Sequence, residues 1–239
     1  MIRDHRPYYI KKAYSGLQSF YVRHFLRPQF ESLGKGFTFM RPWHVRLFGT
    51  LIEVGDYANI IATSDNKVRF SVWPRKNEMG RIKIGDYCLV CPGVRIEAAS
   101  EIIIGNNCMI ARNAYITDSD WHDIYNRIST GAPRPVRIED NVWIGDGATI
   151  CKGVAIGANS VVGARSVVTN SVPSNTVAAG NPAKVVKHFD PDVKMLKRDV
   201  LFSNPAKFNR EIDRFDREML KKNTLSGWLS YIFFPKKGD

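Results

Sequence analysis

The sequence predicts an all-β solenoid of stacked six-residue repeats with α-helices flanking it at both ends. Three observations carry this reading. An aliphatic residue followed by a small or polar one recurs every six residues through the middle of the chain. Two stretches leave that period and then rejoin it. Both ends switch to helical spacing, with basic residues beside aromatic ones.

The period is clearest after the midpoint. Ile138-Glu139, Ile144-Gly145, Ile150-Cys151, Ile156-Gly157, Val162-Gly163 and Val168-Thr169 follow one another in phase. Upstream, Ile84-Gly85, Val90-Cys91 and Ile96-Glu97 keep the same step. Ile104-Gly105, Ile110-Ala111 and Ile116-Thr117 resume it after a slip of two residues, and Val54-Gly55 with Ile60-Ile61 reads as an earlier pair. Each hexapeptide supplies a short strand and a tight turn. The aliphatic side chain points inward, and the small or polar residue after it permits the corner. Three hexapeptides close one triangular coil, and stacked coils share one core. A period of six matches neither 3.6 nor 7, which excludes a helix. The turn signals come too often for an ordinary alternating sheet.

The first excursion runs from about Ser64 to Gly80 and includes Trp73, Pro74 and Arg75. The second, at about 117–137, separates Ile116 from Ile138. Insertions in a solenoid project from one face, often the binding face. The chain therefore divides into an N-terminal basic amphipathic helical segment at 1–50, the solenoid at 51–188 and a C-terminal helical extension at 189–239.

In the flanks, residues 11–30 place Leu17, Phe20, Tyr21, His24 and Phe25 at helical spacing beside Lys11, Lys12, Arg23 and Arg27. After the repeat, Val193, Leu196, Val200 and Leu201 suggest a helix from near Asp190-Pro191. Asn204-Pro205 reads as a cap and first helical turn. Phe208, Ile212, Phe215 and Met219 then follow at helical steps. A last segment carries Leu225, Trp228, Leu229, Ile232 and Phe233, followed by Lys236 and Lys237. Basic residues beside an apolar face suit an anionic membrane surface. The alternative is that these helices cap the solenoid ends.

At 239 residues, 44% apolar and 24% charged, the composition is that of an ordinary globular protein. No apolar run is long enough for a spanning helix, and Met1–Gln18 lacks the apolar core of a signal peptide; the expected location is cytoplasmic, at most peripheral on the membrane. The net charge of +12 divides as +7 over residues 1–50, +2 over 51–189 and +3 over 190–239. That polarity differs from the broad basic surface of a nucleic-acid binder. Cys88 and Cys91 form a lone C-x-x-C without a second pair, so reduced, buried thiols are expected. His5, His24, His44, His122 and His188 occupy no repeated coil position, so no metal is expected.

The second excursion carries the chemistry. It reads ITDSDWHDIYNR from Ile116 to Arg127, with His122 among Asp118, Asp120 and Asp123. A carboxylate accepting from one imidazole nitrogen fixes the tautomer and raises the basicity of the other. Such a group can deprotonate a substrate hydroxyl.

Four stretches resemble a known family: DSDWHD at 118–123, NVWIGD at 141–146, GANSVVGARSVVTN at 157–170 and VAAGNPAKVV at 177–186. The chain is similar over about residues 80–188 to the hexapeptide-repeat O-acyltransferases, close to the maltose and galactoside acetyltransferases and to the capsule and lipopolysaccharide O-acetyltransferases. The resemblance implies a left-handed parallel β-helix, a homotrimer, acetyl-CoA as co-substrate, and a sugar or lipid-linked sugar acceptor. It makes His122 the general base, with Asp118 and Asp120 beside it, at a site between adjacent subunits. Trp143, Gly145, Asp146, Ala164, Thr169 and Asn170 would follow the coenzyme A groove, and Lys184 and Lys187 would serve its phosphates. Asn170 stands where a basic residue is often found. Glu97 and Asn113 are the acceptor-binding candidates. Transfer would be direct, since no cysteine or serine lies in a nucleophile motif. The competing readings are a non-catalytic scaffold and an acyltransferase for a lipid or amine acceptor.

Overall fold

The computed structural model describes residues 4–74, 79–190 and 192–236. Arg75, Pro191 and Lys237, named above, lie outside the described residues. The chain forms two compact units: Tyr21–Asp199, and Met1–Phe20 with Val200–Asp239.

The larger unit is built from three parallel sheets. Sheet one holds Ser32–Leu33, Ile52–Val54, Arg81–Ile84, Glu101–Ile104, Val136–Ile138 and Ala155–Ile156. Sheet two holds Thr38–Met40, Asn59–Ile61, Leu89–Val90, Met109–Ile110, Trp143–Ile144, Val161–Val162, Thr176–Gly180 and Ala183–His188. Sheet three holds Val45–Phe48, Val68–Val72, Arg95–Ala98, Tyr115–Thr117, Thr149–Ile150 and Val167–Val168. Up to Val167–Val168 successive strands go to sheets one, two and three in turn, so each circuit of the chain adds one strand to every sheet, and the last two strands both join sheet two. Among the described residues only the closing pair, Thr176–Gly180 with Ala183–His188, is antiparallel.

The inward aliphatics form three ladders. Leu33, Val54, Ile84, Ile104, Ile138 and Ile156 stack in sheet one. Phe39, Ile60, Val90, Ile110, Ile144, Val162 and Ala178 stack in sheet two. Phe70, Ile96, Ile116, Ile150 and Val168 stack in sheet three. The isoleucines are essentially fully buried, each stabilising the coil by about 1.5–3 kcal/mol.

The coil begins earlier than the repeat signature does. Residues 32–48 form its first circuit, inside the stretch expected to be helical. Leu33, Phe39 and Val45 keep the six-residue step, but an aromatic and the large followers Met40 and Arg46 hide the pattern. The helical part ends before them: α1 spans Tyr8–Tyr21, and π and 3-10 turns continue to Gln29. Its inward residues are Val22, Leu26 and Phe30, which join the coil core. Leu17, Phe20 and Phe25, expected on the apolar face, are exposed.

The first excursion is shorter than expected, because Val68–Val72 pairs in register with Val45–Phe48 and Arg95–Ala98. The two-residue slip falls between Arg95–Ala98 and Glu101–Ile104, whose four-residue strands absorb the extra length. The helix expected from near Asp190-Pro191 is reduced to a 3-10 turn, Arg198–Phe202. Arg198 donates to the Tyr87 carbonyl at 2.7 Å and to Asn59 Oδ1 at 2.6 Å. Those bonds hold the preceding segment against the coil.

In the smaller unit, α2 (Pro205–Leu220) and α3 (Leu225–Phe233) follow their predicted caps. Asn204 Oδ1 accepts from the Lys207 amide at 2.9 Å, and Thr224 Oγ1 from the Gly227 amide at 3.1 Å. Lys11 reaches Asp216 at 2.6 Å and Lys12 reaches Asp213 at 2.5 Å, tying α1 to α2. Among the described residues no helix is long and apolar enough to cross a membrane.

Candidate active site

The long insertion leaves sheet three after Thr117 and enters sheet one at Val136. Its first residue anchors it. Asp118 is fully buried and its carboxylate accepts from the Ala99 and Ser100 amides, both at 2.7 Å. Burial pushes its pKa up against the pull of those amides. The corner it holds is the one containing the two-residue slip. The Arg134 amide then returns to the Asp118 carbonyl at 2.9 Å, closing the insertion at its base.

Asp120 pairs with Lys152, which also donates to the Ala132 carbonyl at 3.2 Å. Lys152 lies at the next corner along the same edge. Asp123 accepts from the Tyr125 and Asn126 amides at 2.8 and 2.9 Å, which draws its pKa down and turns the chain at the tip. All three carboxylates beside His122 in sequence are thus engaged elsewhere. The imidazole partner is a backbone group: Nδ1 of His122 lies 3.0 Å from the Arg127 carbonyl oxygen. A carbonyl only accepts, so Nδ1 carries a proton, and in the neutral ring Nε2 holds the lone pair. The His122 side chain is exposed.

The residue before the histidine is fixed from the coil. Trp121 has φ +62°, the left-handed region that costs a bulky side chain energy. Its amide donates to Ser119 Oγ at 3.1 Å, and its indole N–H to the Tyr115 hydroxyl at 3.3 Å. Tyr115 in turn donates to Glu97 at 2.8 Å, and the Arg95 guanidinium covers its ring at 4.2 Å. Trp73, at the first excursion, meets Trp121 edge-on at 5.9 Å and Phe48 at 4.5 Å between ring centres. Glu97 is therefore joined to the histidine-bearing loop. Around the loop, Tyr115 (the partner of Glu97), Trp121, Trp73 and Lys152 (the partner of Asp120) were not singled out from sequence; only Trp121, adjacent to the histidine, carried a signal.

The remaining candidates lie elsewhere on the coil. Trp143 is 47% exposed on sheet two, between Met109 and Val161. Gly145, Asp146, Ala164 and Asn113 sit at the edge between sheets two and three. A Cβ on Gly145 would stand 2.6 Å from the Ala164 amide nitrogen and the Val162 carbonyl oxygen, so coil stacking demands glycine there. Thr169 and Asn170 hydrogen-bond each other at 3.2 Å at the edge between sheets three and one, the edge that carries His122. Lys184 and Lys187 are exposed on the closing hairpin, opposite Ala179 and Val177. One chain thus carries the histidine on one edge of sheet three and the tryptophan–glycine–aspartate run towards the other.

A family model described as bacterial transferase hexapeptide (six repeats) matches residues 135–170. WcaF of Escherichia coli, described as a colanic acid biosynthesis acetyltransferase, is 31% identical over 147 residues, which are 62% of this chain and 74% of that one. A protein of Saccharomyces cerevisiae described as an acetyltransferase is 44% identical over 108 residues, 44% of this chain and 55% of its own length. Against that relative the chain spans about half the length. The structure of AntD, an N-acyltransferase from Bacillus cereus in complex with dTDP and 3-hydroxybutyryl-CoA, aligns over 80% of this chain and 96% of that one. Its TM-score is 0.56 at 15% identity, which shows the fold alone. The chain belongs to the hexapeptide-repeat acyltransferase family.

Proposed function

We propose that this protein is an acetyl-CoA-dependent O-acetyltransferase acting on a sugar hydroxyl of a surface polysaccharide or glycolipid precursor. The observation that carries this reading is His122: exposed on the long insertion, with Nδ1 held by the Arg127 carbonyl and Nε2 left as the acceptor. WcaF, acting by its description in colanic acid biosynthesis, favours a polysaccharide precursor.

The exposed Trp143, the Gly145–Asp146 corner and Ala164 make an open edge that suits an extended pantetheine arm. Lys184 and Lys187 offer cations for phosphates, as compact point charges and not as bidentate forks. Acetyl-CoA, when bound, supplies an activated thioester carbonyl. Nε2 of His122 takes the proton from the acceptor hydroxyl as that oxygen attacks the carbonyl; the C–S bond then breaks, the acetyl group stays on the acceptor oxygen, and the departing coenzyme A sulfur takes up the proton and leaves as the thiol. General-base assistance is worth about 10²–10⁴-fold, and positioning two substrates supplies much of the rest. We take the coil to wind left-handed, as the family resemblance implies, and the chain to form a homotrimer, because the two groups of site residues lie on separate edges and a neighbouring copy would bring them together.

We further propose that the smaller unit lies on the cytoplasmic face of a membrane. Phe215, Met219, Leu229, Ile232, Phe233 and Phe234 are all exposed there. Among the described residues of that unit, Asp4, Glu211, Asp213, Asp216 and Glu218 are each paired with a basic residue, whereas the exposed Arg210, Arg214 and Lys222 have no carboxylate within ion-pair distance and suit anionic lipid. Cosedimentation with phosphatidylglycerol vesicles, and not with phosphatidylcholine vesicles, is expected. Loss of binding in a Phe215→Ser, Phe233→Ser double variant supports the placement, and a wild type that ignores both vesicles contradicts it.

The catalytic reading is tested by following free thiol release from acetyl-CoA with a panel of sugars, nucleotide sugars and glycolipids. Acceptor-dependent release supports it, and neither binding nor turnover of acetyl-CoA refutes it.

A further inference from the structure

The outer face of sheet three carries an arginine ladder. Arg46, Arg69 and Arg95 occupy the same register on three successive circuits. Strands of one sheet lie about 4.8 Å apart, so three exposed arginine side chains leave the backbone at that spacing, one above another. Like charges directly across strands repel, and among the described residues none of the three has a carboxylate within ion-pair distance. Glu97, two residues along the strand from Arg95 and on the same face, accepts a hydrogen bond from the Tyr115 hydroxyl.

The ladder leads to the histidine-bearing loop. The next position in its register is Tyr115, whose ring lies under Arg95 and whose hydroxyl receives the Trp121 indole N–H. Beside the ladder, Phe48 and Trp73 form an exposed aromatic pair that meets Trp121. Phe48 is 50% and Trp73 44% exposed. The same face therefore offers guanidinium donors suited to planar anions and, beside them, aromatic rings that the apolar C–H face of a hexose can cover.

We propose that this face of sheet three is a binding site for an acidic acceptor. Its anionic group, a phosphate, a diphosphate or the carboxylate of an acidic sugar, sits on Arg46, Arg69 and Arg95. Its sugar ring packs on Phe48 and Trp73, with the hydroxyl directed to His122. Unbalanced positive charge costs stability without a ligand, so an anion that neutralises it binds selectively. The word acceptor rests on the acetyl-transfer reading; the anion site does not.

The test is calorimetric titration of the full chain with inorganic pyrophosphate, glucuronic acid and galactose, with tryptophan fluorescence as a second signal. The site predicts saturable binding of at least one anionic probe, weakened by added salt, and much weaker binding of galactose. An Arg46→Gln, Arg69→Gln double variant, with exposed side chains removed and its circular dichroism unchanged, should bind that probe tenfold or more weakly while acetyl-CoA binding stays the same. Pyrophosphate against glucuronate separates the phosphate source from the carboxylate one. His122→Ala should bind the anion as wild type does, so a failed base assignment would leave this result standing. No saturable binding of either anion, or equal affinity in the double variant and wild type, overturns the proposal.

Discussion

Nδ1 of His122 lies 3.0 Å from the carbonyl oxygen of Arg127, five residues further along the same loop. The ring is therefore set by the fold of its own loop and not by a carboxylate. A carbonyl cannot change charge with pH, so the tautomer it selects persists as long as the loop keeps its shape. Whatever holds the loop becomes part of the site.

Asp118 is the main anchor, and its removal should act through structure. Asp118→Ala leaves the Ala99 and Ser100 amides at a buried corner without acceptors. Each stranded donor costs about 1–3 kcal/mol. Denaturant unfolding should show a loss of about 2–4 kcal/mol, with acetyl transfer falling as the loop loosens. Unchanged stability would contradict the anchor.

Gly145 separates packing from binding. The family resemblance places it along the cofactor groove, whereas its neighbours leave no room for a methyl group. Gly145→Ala should lower stability by about 1–3 kcal/mol through overpacking. Purified variant that melts normally but binds acetyl-CoA poorly would reverse this assignment.

The smaller unit should respond to acid through Asp213. Lys12, the Tyr8 hydroxyl and Arg217 hold this carboxylate well below its ordinary 3.8. A lowered carboxylate contributes stability above its unfolded value, which is lost as pH falls toward the folded one. Asp213→Asn should therefore melt at lower temperature than wild type at pH 7. The gap should narrow as pH drops below 3.8, followed by circular dichroism at 222 nm, a wavelength chosen for roughly α-helical signal. A gap that is constant down to pH 2 would contradict the assignment. Asp4 and Glu218 shift the same way, so the wild type itself loses stability in acid.

The coil was legible because its constraint is local and repeated. Ile138, Ile144, Ile150 and Ile156 announce the inward positions, and every one of them is buried. The first circuit was not legible, since Phe39 replaces the aliphatic and no small residue follows it. The segment before Arg198 was misread as helix: its apolar spacing is helical, but the bonds of Arg198 to Tyr87 and Asn59 join residues more than a hundred positions apart. The histidine was visible from its place on the insertion. Its partner was not, because Asp118, Asp120 and Asp123 all looked equally available, and the backbone carbonyl of Arg127 has no sequence signature.

The central claim is that His122 is the base for acetyl transfer. The most direct measurement is free thiol release from acetyl-CoA in the presence of an acceptor, comparing wild type with His122→Ala. The account predicts a fall of about 10²-fold or more in kcat, with acetyl-CoA binding and the melting temperature unchanged. Equal turnover by the two proteins would contradict it.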